Sequence, residues 1–199
     1  AWSDPTLDGV IYVGGGWGAA RVLEAGLKFP PRPFWSLGFS DSSALLLAQW
    51  QAGLLGAVHG AFWGPDDQWE RTVDLLSGRP TRPLQGQGRR GGSAQGPLVV
   101  TNLTVATHLI GTRWFPSLKG AVLVLEDVGE APYRVDRMLT QWRASGLLNG
   151  VAAIGCGRFS WKKDDILPGD FSMAEILDER LGDLGVCLLY TSDAADERQ

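Results

Sequence analysis

Pro33-Phe34-Trp35-Ser36-Leu37-Gly38-Phe39-Ser40-Asp41-Ser42-Ser43-Ala44-Leu45-Leu46-Leu47 reads as a short apolar strand, a sharp turn at Gly38–Asp41 and then a helix. A serine on a strand-to-helix turn is a nucleophile elbow. The turn pushes Oγ into solvent, and the helix behind it aims free N–H groups and its dipole at developing negative charge. The usual elbow is Gly-x-Ser-x-Gly; here Ser42 stands in place of the last glycine and is still small enough for close helix–strand contact. A second reading fits the same letters. Ser40, Asp41, Ser42 and Ser43 all stand where a helix entering Ala44-Leu45-Leu46-Leu47 takes an N-cap.

Upstream, Asp8-Gly9-Val10-Ile11-Tyr12-Val13 is an apolar run that ends in Gly14-Gly15-Gly16-Trp17-Gly18, and a helical pattern starts at Ala19. Strand, glycine loop and helix open an α/β unit. Three readings compete for the loop. Gly14, Gly16 and Ala19 match the G-x-G-x-x-A dinucleotide pattern, but no acidic residue ends a second strand about 20 residues on. A glycine N–H could instead approach a substrate carbonyl without Cβ interference, as in an oxyanion hole. The third reading is a plain tight turn.

Downstream, the elbow helix runs to about Gly53, and Leu54-Leu55-Gly56-Ala57-Val58-His59-Gly60 reads as a buried strand. His59 is a candidate general base, with a structural role as the ordinary alternative. Asp66 to Leu76 is an amphipathic helix with Trp69, Val73 and Leu76 on one face and Asp66 or Asp67 as its cap. Residues 79–97 lose all periodicity to Gly, Arg, Pro, Gln and Ser, the composition of an interdomain linker. A second apolar block follows. It holds a helix over Asn102–Ile110 that carries His108, and a clean strand over Lys119–Leu125 ending in Glu126-Asp127-Val128-Gly129-Glu130. Carboxylates at the C-terminal end of a buried strand are where α/β proteins place functional groups. A helix over Val135–Ser145 with Gly146 as C-cap, a strand at Gly150–Gly155, a helix from Ser172 with Glu175 completing a capping box, and a strand starting at Leu184 complete the pattern.

The 199 residues suffice for one large domain or two small ones, and 44% hydrophobic with 20% charged is an ordinary globular composition. A net charge of -4 argues against nucleic acid as partner, since phosphate binding needs a basic footprint. Two cysteines, Cys156 and Cys187, make no disulfide framework, and no spacing suggests a metal site. No apolar run is long enough to span a membrane as a helix.

Three segments together resemble the LD-carboxypeptidase family of murein tetrapeptide carboxypeptidases and microcin immunity hydrolases. They are Gly15-Gly16-Trp17-Gly18-Ala19-Ala20-Arg21-Val22-Leu23, the elbow Gly38-Phe39-Ser40-Asp41, and the long, specific run Leu123 to Gln141 that begins Leu-Val-Leu-Glu-Asp-Val-Gly-Glu. The resemblance implies an α/β fold: an N-terminal Rossmann-like layer over 1–78, the linker at 79–97, and a C-terminal mixed β/α domain over 98–186. It implies a serine carboxypeptidase that needs no cofactor or metal. Such an enzyme cleaves an L-to-D peptide bond and releases the terminal D-alanine of a murein tetrapeptide in cytoplasmic peptidoglycan recycling, with a homodimer by analogy. Carried over by motif, Ser40 is the nucleophile, N–H groups of Asp41 and the Gly15-Gly16 loop form the oxyanion hole, and Glu126, rather than Glu130, orients the catalytic histidine. Arg137 is expected to anchor its loop by ion pairing.

The chain departs from the family after Val186. The family continues into a Gly-His segment that supplies the triad histidine, whereas Cys187–Gln199 contains neither, and the two histidines present, His59 and His108, match no catalytic position. The expectation is a non-native tail over 187–199, unpaired in the fold, on a chain incomplete at both ends. A peptidoglycan-fragment-binding module without turnover and, behind it, a nucleotide-binding domain are the competing functions.

Overall fold

The computed structural model describes residues 2–64, 66–83, 85–162 and 169–191, and the side chains of 66–68 lie outside that description. The chain divides into two compact units, Ala1–Pro83 with His108–Ser117, and Leu84–Thr107 with Leu118–Gln199.

The first unit is built on three parallel strands in the order β1 (Gly9–Ile11), β2 (Trp35–Gly38) and β3 (Ala57–His59). Parallel neighbours need crossovers, and α1 (Ala19–Glu24) and α2 (Ser43–Gln51) supply them. The run Ala44-Leu45-Leu46-Leu47-Ala48 has no polar face, which predicts a helix buried all round; every residue of α2 from Ser43 to Gln49 is buried. The buried Gln49 amide donates to the carbonyls of Phe34 (2.9 Å) and Leu55 (3.1 Å), so α2 is tied to both flanking segments. An unmade bond there would cost about 1–3 kcal/mol. Helix α3 (Asp66–Leu76) follows β3 with Trp69, Val73 and Leu76 half-buried on one face. Its expected caps, the side chains of Asp66 and Asp67, are outside the described residues.

The second unit holds a five-stranded mixed sheet in the order β4-β8-β7-β6-β5. Strands β5 (Leu98–Asn102), β6 (Val122–Val128), β7 (Ala153–Ser160) and β8 (Cys187–Thr191) are parallel, and β4 (Gly86–Arg90) closes one edge antiparallel to β8. In β6, Leu123, Leu125 and Asp127 alternate inward while Val124 and Glu126 face the other way, the period-2 pattern of a half-covered sheet. Helices α4 (Leu103–Leu109), α5 (Pro132–Ala144) and α6 (Met173–Leu181) follow β5, β6 and β7. Leu139, Trp142, Ile154, Phe159 and Leu177 fill the core, each fully buried aliphatic side chain contributing about 1.5–3 kcal/mol. The Ser172–Glu175 capping box is present, with both reciprocal bonds made, and Gly146 takes the left-handed conformation just past α5 as expected.

Three departures from the sequence reading, beyond shifts of a few residues at element ends, stand out. Gly86–Arg90, inside the expected linker, is a strand. Its five residues are exposed, and it meets β8 through backbone pairing and the Arg89 guanidinium over the Tyr190 ring, so it carries no apolar periodicity to read. The strand expected over Lys119–Leu125 runs from Val122 to Val128, placing Glu126 within it rather than beyond it. Finally, Cys187–Thr191 is not unpaired. It forms β8 between β7 and β4 with Leu188 and Tyr190 buried, and the Tyr190 hydroxyl donates to Asp178 (2.9 Å). The expectation of an unpaired tail is therefore not met over Cys187–Thr191, and a buried strand paired on both edges counts against a non-native origin for these five residues. Residues 192–199 are outside the described residues.

Candidate active site

In the first unit, β2 ends at Gly38, Phe39 remains extended, and Ser40 opens a single 3-10 turn over Ser40–Ser42 that passes into α2. Ser40 has φ 54°, and among the described residues it is the non-glycine residue with positive φ. A side chain held in that region costs of order 1–3 kcal/mol, and such strain persists only where the surroundings over-determine it. The alternative cap reading is not realised for this turn: no side chain caps the 3-10 turn or α2. Ser42 Oγ donates back to the Phe39 carbonyl (2.6 Å). The Asp41 carboxylate instead accepts from the backbone N–H of Ala19 (2.9 Å), across 22 residues, and so caps α1.

That bond brings the glycine loop to the elbow. A Cβ at Gly15 would fall 2.7 Å from both Cβ and Oγ of Ser40 and 3.8 Å from the Asp41 amide nitrogen. Only a glycine backbone fits there. Gly16 plays a different part: it has φ 111° and nothing within 4 Å of where its Cβ would be, so it turns the loop and does not press on Ser40. His59 pairs in register with Gly38 across β2 and β3.

In the second unit, Glu126 stands near the carboxyl end of β6, in register with Asn102 at the end of β5. The Asn102 amide nitrogen donates to Glu126 Oε1 (3.2 Å), while its Oδ1 accepts from the backbone N–H of Val105 (3.0 Å). Asn102 is thus both the N-cap of α4 and a fixed partner of Glu126. On the other flank, Leu125 pairs with Cys156 and Asp127 with Phe159, so β7 advances three residues where β6 advances two, and Gly157 and Arg158 both stand opposite Glu126. This β-bulge lies opposite Glu126. Gly157, within it, would place a Cβ 3.2 Å from Glu126 Cβ. Bulges re-aim a side chain at just such positions.

Asp127 faces the core side at 2% exposure. Its carboxylate accepts from the backbone N–H groups of Thr104 and Val128 (both 2.8 Å). Burial pushes this carboxyl above the ordinary carboxylate range, the neighbouring Glu126 charge adds to the rise, and the donors from Thr104 and Val128 oppose it. Glu130 pairs with Arg134 (3.3 Å). Arg137, expected to anchor this loop through an ion pair, instead lies over the Tyr133 ring at 5.4 Å. His108 is exposed in the last turn of α4.

Sequence reasoning missed two residues, Asn102 as a partner of Glu126 and Asp41 as a cap for α1. Asn102 was legible as a helix start, but its amide contact depends on strand register. The Gly157-Arg158 interruption of an apolar strand was the available hint of a bulge.

Ser40, in the first unit, stands on a strained strand-to-helix turn crossed by a glycine backbone, and Glu126, in the second, is a carboxylate near a strand end held by Asn102. The chain matches the LD-carboxypeptidase N-terminal domain over residues 1–60 and the LD-carboxypeptidase C-terminal domain over 95–197. It belongs to the LD-carboxypeptidase family. It is 44% identical to "Putative carboxypeptidase slr1534" of Synechocystis sp. over 193 residues, covering 94% of this chain and 64% of that protein. It is 33% identical to the murein tetrapeptide carboxypeptidase of Pseudomonas aeruginosa over 186 residues, covering 80% of this chain and 58% of the relative. The fold superposes on the crystal structure of muramoyltetrapeptide carboxypeptidase from Oxalobacter formigenes with a TM-score of 0.71 and 24% identity, over 98% of this chain and 73% of that one. The chain therefore spans between about half and two thirds of the length of the curated relatives it matches. Among the described residues, no helix is long and apolar enough to cross a membrane.

Proposed function

We propose that this chain carries most of a serine-type LD-carboxypeptidase that releases the terminal D-alanine from a murein tetrapeptide during peptidoglycan recycling. The observation that carries the reading is Ser40, strained to φ 54° and overlain by the Gly15 backbone. Ser40 Oγ attacks the carbonyl carbon of the L-residue, and its proton passes to a histidine base. The tetrahedral oxyanion is held by N–H groups of Asp41 and the Gly15-Gly16 loop. The C–N bond then breaks, the leaving D-alanine nitrogen takes the proton from the histidine, and water hydrolyses the acyl-serine by the same relay. Glu126, held by Asn102, orients that histidine. No metal or cofactor is required in this scheme.

The base is the part of the machinery not assigned within 1–199. The two histidines are His59 in β3 and the exposed His108 in α4. This favours a second reading for the chain as it stands, namely binding of murein peptide without turnover, because loss of a triad member costs orders of magnitude in rate. D-alanine release from a murein tetrapeptide by the full-length protein decides the primary reading. Ser40→Ala is expected to abolish it, and unchanged turnover would sink the assignment. Binding with no turnover by the full-length protein would establish the second reading.

A further inference from the structure

The glycine loop of the first unit has little to hold it in place. Between Tyr12 and Ala19 stand Val13-Gly14-Gly15-Gly16-Trp17-Gly18, four of them glycine. Val13 to Trp17 are all exposed, so no buried side chain pins them. Gly16 and Gly18 have φ of 111° and 107°, with open space where a Cβ would stand. Glycine backbone of this kind loses more freedom on ordering than any other. Two hydrogen bonds tether the ends of the run to the elbow segment. On the β1 side the Tyr12 N–H donates to the Leu37 carbonyl (2.8 Å). On the α1 side the Ala19 N–H donates to the Asp41 carboxylate (2.9 Å). The first tether is made by strand backbone, the second by a side chain.

The second tether joins the two parts that meet at Ser40. Asp41 follows Ser40 directly, and its amide nitrogen lies 3.8 Å from where a Cβ at Gly15 would stand. The backbone N–H groups of Asp41 and of the loop are the donors of the proposed scheme, in which the Asp41 side chain has no part. Yet that carboxylate sets how far the loop stands from the elbow. The elbow itself does not use it. No side chain caps the 3-10 turn or α2, and the Phe39 carbonyl accepts from the Ser42 N–H (3.2 Å) and Oγ (2.6 Å). Helix α1 has no cap of its own, because its N-cap is Gly18, which carries no side chain. Asp41 thus spends its carboxylate on a segment 22 residues away. Oxyanion donors act only when they are held where the negative charge develops, and a misplacement of about 1 Å can cost on the order of a hundredfold in rate.

We propose that the Asp41 side chain is a positioning residue: by holding Ala19 it keeps the Gly15-Gly16 N–H groups over Ser40, and it acts through its length rather than its charge. The catalytic half of this inference rests on Ser40 being the nucleophile of a peptidase. Two measurements test it. In the 199-residue chain, amide hydrogen exchange is followed by mass spectrometry. Asp41→Ala should speed exchange over residues 13–21 and leave α2 as in the wild type. Unchanged exchange over the loop, or an equal rise in both segments, would overturn the clamp. In the full-length protein, D-alanine release from a murein tetrapeptide is measured for three variants whose folding is verified by thermal melting. Asp41→Ala should lower kcat about a hundredfold, the effect of one lost oxyanion donor, with KM nearly unchanged. Asp41→Asn keeps the length and a capping oxygen, and Asn caps about as well as Asp, so it should keep most of the wild-type kcat. Asp41→Glu keeps the charge but is one methylene too long, and should fall with Asp41→Ala. If Asp41→Ala melts below the assay temperature, the order of Asn and Glu decides alone. Wild-type kcat in Asp41→Ala, a loss confined to KM, or Glu outperforming Asn would overturn the inference, and the peptidase reading would stand as long as Ser40→Ala abolishes turnover. Absence of turnover by the wild-type full-length protein would overturn the peptidase reading and the catalytic role of the clamp together.

Discussion

Ser40 and Glu126 are presented by opposite means. Ser40 is held by backbone strain: its φ of 54° is imposed by the turn between β2 and α2, and Gly15 closes over it where no side chain would fit. Glu126 sits in strand geometry and is aimed by its neighbours, Asn102 on β5 and the Gly157 bulge on β7. The position of Ser40 is therefore set by steric exclusion, which tolerates almost no added volume. The position of Glu126 is set by hydrogen bonding and register, which tolerates substitutions that keep the donor. Each half fails in its own way when altered.

The largest effect is expected at the steric half. Gly15→Ala places a methyl 2.7 Å from the Ser40 Cβ and Oγ, so either the loop or the elbow must move. Overpacking of this kind costs about 1–3 kcal/mol. Urea unfolding followed by tryptophan fluorescence should show that loss. A variant as stable as the wild type would mean that the loop yields freely and that steric exclusion does not fix Ser40.

The hydrogen-bonding half should grade with chemistry. Asn102→Leu removes both the cap of α4 and the donor to Glu126, in a residue only 5% exposed. A loss of about 2 kcal/mol follows from one cap and one buried bond. Asn102→Ser keeps a capping oxygen and should recover about half of the loss in the same unfolding experiment. In the full-length protein, however, Ser should not restore D-alanine release, because it cannot reach Glu126 with an amide. Equal stability of the two variants would show that the cap contributes nothing and would leave Glu126 as the sole partner of Asn102.

The same contrast explains what could be read from the letters. The strand-turn-helix order and the Ser172–Glu175 box were legible because each is written within a few residues. Asp41 capping α1 and Asp127 capping α4 were not, since the donors lie 22 and 23 residues away and depend on how strands are ordered. Residues 86–90 gave no signal because β4 buries no apolar side chain: it is held by backbone pairing with β8 and by the polar contacts of Arg89 and Arg90. Ser40 and Glu126 were named from motif resemblance. The strain on the first and the bulge beside the second come from packing and register, which no local pattern encodes. Among the described residues the ion pair expected of Arg137 is not seen: Glu130 pairs with Arg134, and Arg137 lies over the Tyr133 ring.

The smallest effect separates two adjacent carboxylates. Glu126 lies on the other face of β6 and accepts from Asn102, while Asp127 turns inward and receives the backbone N–H groups of Thr104 and Val128. Burial, the largest influence on Asp127, raises its carboxyl above the ordinary value despite those donors. A carboxyl that is raised on folding keeps its proton in the native state at a pH where the unfolded chain has already lost it. The native state therefore holds more protons, and stability falls as pH rises from the ordinary carboxylate value through the raised one, then levels off. Asp127→Asn does not titrate and removes that slope. Melting temperatures between pH 3.5 and 8 should show the wild type losing ground to Asp127→Asn across the lower part of the range, with a constant difference above it. A difference that instead moved in favour of the wild type as pH rose would mean that the N–H donors dominate over burial. Asp127 would then resemble an ordinary helix-capping carboxylate, held in its ionised form.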